Sequence, residues 1–150
     1  MCGDNHSRDS IGGALAVMSP SRFEAGTLPV PMAGRLVFHN RKKESSLATH
    51  AIFTVDSSQE PQSKTVEPLL VRIHETGDLT RPATTSPLWA TFTLKPVVRV
   101  LGDDKAVAMG VKLERSMKIE VGVDGIIGRR VSVWTQQGAG PVAEGIVGYN

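Results

Sequence analysis

The residues of this 150-residue chain with the chemistry for catalysis or metal binding are four histidines, one cysteine and scattered serines and carboxylates. His6, His39, His50 and His74 lack the i, i+2 or i, i+4 spacing that brings imidazoles onto one face. A metal site assembled across strands would need His39 and His50 opposite each other in a hairpin, with His74 on a neighbouring strand. Solvated or hydrogen-bonded strand histidines are the expectation, with no metal and no cofactor. The serines lie outside any G-x-S-x-G elbow, and Cys2 stands alone near the terminus, so no intramolecular disulfide supports the fold.

Paired carboxylates fare no better. Gly102-Asp103-Asp104 sits where a turn is required, and Asp and Gly are ordinary turn residues. Glu114, Glu120, Asp124 and Glu144 read as outward strand and turn residues, not as an acid–base pair. Gly122-Val123-Asp124-Gly125 and Gly138-Ala139-Gly140 lack the lysine and following helix of a phosphate-binding loop. No catalytic residue is expected, and an enzyme would have to assemble its site from distant positions.

Two basic clusters remain, Arg41-Lys42-Lys43 and Arg129-Arg130. Arg41, Lys42, Lys43, Arg129 and Arg130 are the candidate contacts to nucleic acid, touching phosphate without reading bases. The plainer use is as solvated turn charges that keep sheet edges from self-pairing. A net charge of +2 with both signs interspersed does not demand a polyanion partner, and 5% aromatic content leaves few rings for base stacking.

Elements that position these residues follow from period-2 alternation. The best-patterned stretch, 89–123, carries Leu88, Ala90, Phe92 and Leu94, then Val107, Met109, Val111 and Leu113, then Met117, Ile119, Val121 and Val123. A reversal is expected at Glu114-Arg115-Ser116, a hairpin turn at Asp124-Gly125, and an edge, bulge or break at Pro96. The predicted dry face is Phe92, Leu94, Met109, Val111, Leu113, Ile119 and Val121. Earlier strands fall at 35–40, with Leu36 and Phe38 on one face and Val37 and His39 on the other, and at 49–56, with Ala51, Phe53 and Val55 inward. A third places Leu69, Val71 and Ile73 inward and Arg72 and His74 outward. Val131 and Val133 face in, and 142–149 is a weak final strand. Loops at 57–65 and 77–87 suit crossings between sheets.

About eight short strands with regular turn signals predict an all-β antiparallel sandwich or barrel, Greek-key or jelly-roll-like. Residues 1–33 are rich in Gly, Ser and Pro and predict an extended arm, with one helical turn at 14–18; residues 34–150 form a single β-domain. Asp4 and Asp9 beside Arg8 spoil a secretion signal, and no apolar run reaches membrane-helix length. By elimination the expected function is a non-enzymatic, self-associating structural subunit of coat, decoration or tail type, in a virion or the cytoplasm. Its expected partners are copies of itself, with no membrane and no small-molecule substrate. The alternative is a small β-barrel module that contacts nucleic acid or a peptide through its basic turns.

Overall fold

The computed structural model describes residues 13–21, 32–40, 42, 46–55, 68–101, 104–136, 138 and 140–150, with backbone alone for 97–101 and 104–107. The chain is almost entirely antiparallel β. In order come β1 (Ala14–Met18), β2 (Gly34–His39), β3 (Leu47–Val55), β4 (Leu69–His74), β5 (Leu88–Leu101) and β6 (Asp104–Val121). β7 (Gly125–Ile127), β8 (Arg130–Thr135) and β9 (Ala143–Tyr149) follow. Hydrogen bonding runs β3-β2-β1-β9-β8-β4-β5-β6, and β3 also pairs with β6, which closes an eight-stranded barrel. Two three-stranded meanders, β1-β2-β3 and β4-β5-β6, meet directly along one seam; the β8–β9 hairpin fills the other. Closure removes the edges that an open sheet would expose.

Inward alternation builds the core as the pattern requires. Ala14, Ala16 and Met18 of β1 meet Leu36 and Phe38 of β2 and Ala51 and Phe53 of β3. Leu69, Val71 and Ile73 of β4 lie against Val131 and Val133 of β8. Across the interior Phe38 meets Phe92 edge to face, with centroids 6.1 Å apart. Small residues at β1 and β9 let these strands pass closely: a methyl on Gly145 would stand 2.3 Å from the carbonyl oxygen of Val17.

Several local expectations give way to tertiary pairing. Residues 14–18 are not a helical turn but strand β1, whose buried face fits between β2 and β9. Residues 1–12 and 22–31 of the expected arm lie outside the described residues. Glu114-Arg115-Ser116 does not reverse the chain. Ala48 pairs with Met117 and His50 with Lys112, so 113–116 bulge opposite the single residue Thr49 while β6 continues. Asp124-Gly125 does not make a hairpin either, because β7 returns parallel to β6, with Lys118 opposite Gly125 and Val121 opposite Ile127. Val121 leaves the predicted dry face and is 70% exposed. Phe92, Val111 and Ile119 are only partly buried against the core. The 77–87 loop joins neighbouring strands β4 and β5, so it is not a crossing. Residues 57–65 fall between β3 and β4, which are not neighbours, and lie outside the described residues.

β5 and β6 outrun the barrel. β4 last pairs with β5 at Leu94, and β3 last pairs with β6 at Met109. Beyond that point residues 97–101 pair, among the described residues, only with residues 104–108, as a two-stranded ribbon. Pro96 sits where β5 leaves β4, so its missing N–H falls at an edge as expected. Among the described residues no helix is long and apolar enough to cross a membrane.

Candidate functional site

Adjacent residues of a strand point to opposite faces, and Arg129-Arg130 at the start of β8 shows the consequence. Arg129 Nε donates to the Gly125 carbonyl at 2.7 Å, and Nη1 donates to Glu75 at 2.7 Å. Nη2 donates to Gly122 and Val123, and the guanidinium lies 4.3 Å from the centroid of Trp89. It ties the ends of β4, β5 and β6 to β7. Arg130 is fully buried on the other face, paired with Glu144 of β9. Its Nε reaches Glu144 Oε2 at 3.2 Å, and Nη1 donates to the carbonyls of Asp78 at 2.9 Å and Arg81 at 2.7 Å.

Neither arginine is therefore a solvated turn charge. Each guanidinium has four hydrogen bonds to protein oxygens, and such a group has only five N–H donors. Glu144 likewise is not an outward carboxylate but the buried counter-ion of Arg130. Of the other cluster, Lys42 is exposed in a turn where its N–H donates to Asn40 Oδ1 at 3.0 Å. Arg41 and Lys43 lie outside the described residues. Arg129 and Arg130 are buried and so share no exposed surface with Lys42.

The outer face of β4, β8 and β9 carries the densest polar chemistry. The 75–87 loop folds over it, with its ends tied by Glu75 N–H to the Pro87 carbonyl at 2.9 Å. Beneath it, His74 lies on the outer face as alternation predicts, but the loop buries it fully there. Its Nε2 lies 2.7 Å from Ser132 Oγ, and its Nδ1 lies 3.2 Å from the Ser86 carbonyl. Trp134 Nε1 donates to the same Ser132 oxygen at 2.8 Å. Only one arrangement of protons satisfies every member. Trp134 donates to Ser132, Ser132 donates to Nε2 of a neutral His74, and Nδ1–H donates to Ser86. Burial lowers the His74 pKa, the nearby Arg130 and Arg72 charges lower it further, and the Ser86 bond and Glu144 act against them.

A serine hydroxyl on an imidazole whose second nitrogen is held by an acceptor has the layout of a nucleophile and its base. Here both groups are fully buried, and the Trp134 N–H occupies the serine oxygen. The chain anchors the loop to the barrel. Sequence reasoning missed it because Ser132, His74 and Ser86 become neighbours only through β4–β8 pairing and the returning loop.

The histidines separate accordingly. His39 and His50 are opposite each other in the β2–β3 register, stacked with centroids 5.4 Å apart, and Thr49 Oγ1 lies 2.8 Å from His50 Nδ1. His74 is on β4, which neighbours neither strand, so the three-histidine site considered from sequence is not assembled. Among the described residues no group of three or more His, Cys, Asp or Glu could hold a metal.

Beside the buried chain the same face opens into a groove of about 290 Å³ lined by Leu70, Arg72, Thr93, Trp134, Thr135, Gln136 and Gly138. The Arg72 guanidinium stacks 4.2 Å from the centroid of the Trp134 ring. No protein-family model, curated protein or solved structure matches the chain.

Proposed function

We propose that this chain is a non-enzymatic structural subunit that self-associates, of the coat, decoration or tail type found in virions. The observation that carries the reading is the β5–β6 ribbon. Its residues 97–101 and 104–108 pair with each other and with no third strand among the described residues. An isolated two-stranded ribbon is marginally stable in water. Its free edges are a template for adding a strand from another chain, a common way of joining subunits. With the eight-stranded barrel closed, this ribbon is the longest stretch open to such pairing among the described residues. The filled interior also supports a scaffold role, because the barrel lumen is occupied by side chains.

Native mass measured over a wide concentration range, before and after nuclease treatment, tests the proposal. Concentration-dependent assembly that survives nuclease supports it. A strict monomer under all conditions overturns it, and assembly that nuclease abolishes moves the reading to a nucleic-acid-binding module. Replacing residues 98–107 with an Asn-Gly turn closes β5 on β6 at the Val97–Ala108 pair. This variant is expected to keep the barrel and lose the association.

A further inference from the structure

Arg72 occupies the middle of β4 on its outer face, opposite Thr91 of β5 and Ser132 of β8. Its two arginine neighbours in this region are consumed by protein oxygens. Among the described residues the Arg72 guanidinium has no hydrogen-bond or ion-pair partner and lies over Trp134, whereas that of Arg130 makes four hydrogen bonds. It is half-buried, and a cation withdrawn from water without a counter-ion is normally offset by one. Among the described residues that line the groove beside it none is acidic, and the one charged side chain is Arg72.

The rest of the lining says what kind of anion fits. Thr93, Thr135 and Gln136 bring hydroxyl and amide donors, while Leu70 brings an apolar wall. Trp134 Nε1 is already committed to Ser132, so the ring acts as a flat surface, not as a donor. Seated over that ring, the guanidinium keeps its N–H donors free, a fork that matches the two oxygens of a carboxylate. One cation suits one negative charge. A phosphate dianion would want a second, and Arg130 is unavailable to it.

The geometry points to a carboxylate-binding site in this groove, with Arg72, seated on the buried Trp134, as the anion fork and Leu70 against the body of a small aromatic or aliphatic carboxylate. A carboxylate side chain or chain terminus of another protein presents the same chemistry. The site stands apart from the ribbon and does not depend on the assembly proposal.

The test uses the full chain and sodium benzoate, followed by NMR of the Arg72 Nε–H and Trp134 Nε1–H signals. One ion pair and a small apolar contact predict saturable shifts with a dissociation constant in roughly the millimolar range. Arg72→Gln should abolish saturation, and Arg72→Lys should weaken it, since the lysine keeps the charge but loses the fork. Uncharged benzamide should give no saturable shift. N-acetylglutamate amide, carrying a side-chain carboxylate, distinguishes the two sources: comparable binding points to a protein partner, weaker binding to a small aromatic acid. Saturable benzoate shifts retained in Arg72→Gln, equal shifts with benzamide, tighter binding of inorganic phosphate, or no saturation with wild type would each overturn the inference.

Discussion

Removing Arg130 should unfold the outer face of β8 before it disturbs anything else. Its side chain has no exposure and that of Glu144 is 5% exposed, so the pair is fully desolvated. Arg130→Met would leave Glu144 Oε2 without both guanidinium donors, with only Ser21 Oγ at 3.5 Å from the other oxygen. The Asp78 and Arg81 carbonyls would also lose their donor, releasing the 75–87 loop. Breaking a buried pair by deleting one partner costs about 3–5 kcal/mol. That is a large share of the roughly 5–15 kcal/mol that holds a domain folded. Glu144→Leu should cost a similar amount, because it strands the arginine. The double variant Arg130→Met, Glu144→Leu removes both charges and leaves mainly two carbonyl bonds unmade, about 1–3 kcal/mol in all. Urea unfolding of the four proteins, with a constant denaturant slope, measures this cycle. Single variants that each cost below about 1 kcal/mol, or a double variant as damaged as the sum of the singles, would refute the reasoning.

The His74 network predicts a pH dependence. His74 is held neutral below the ordinary value of 6.5, so the unfolded chain takes up its proton first as pH falls. Its contribution should be complete above about pH 6.5 and decline as pH drops toward the lowered folded value; unfolding curves of wild type that match His74→Gln across that window would exclude it. Phe38→Ala, at a fully buried site against Phe92, should cost about 3–5 kcal/mol, whereas Val121→Ala, at 70% exposure, should change stability by less than about 0.5 kcal/mol. Thermal or urea midpoints of the two variants check this contrast, and equal costs would contradict the barrel's inside–outside assignment. Gly145→Ala places a methyl 2.3 Å from the Val17 carbonyl and should destabilise by about 1–3 kcal/mol, with slowed amide exchange lost first between β1 and β9.

Alternation in the chain was sufficient to determine the β class and most of the core. Leu36, Phe38, Ala51, Phe53, Leu69, Val71, Ile73, Val131 and Val133 all face inward as their period demands, because a strand has only two faces and only one can be dry. Local turn chemistry was a weaker guide. Glu114-Arg115-Ser116 marks a bulge and Asp124-Gly125 a parallel return, since polar residues disrupt a ladder without stating which way the chain then goes. β1 escaped notice because its five residues carry no polar alternation, and only burial between β2 and β9 makes it a strand.

Everything about the candidate sites belonged to the tertiary structure. Charge looks solvated in a sequence, yet Arg129, Arg130, His74 and Glu144 are buried because the 75–87 loop and the β6–β7 turn bring carbonyls and a carboxylate to meet them. Barrel closure through β3–β6, the ribbon beyond it and the unpaired Arg72 on Trp134 depend on contacts between residues far apart in the chain. Periodicity reports which face of a strand is dry; it carries no information about what comes to cover the other.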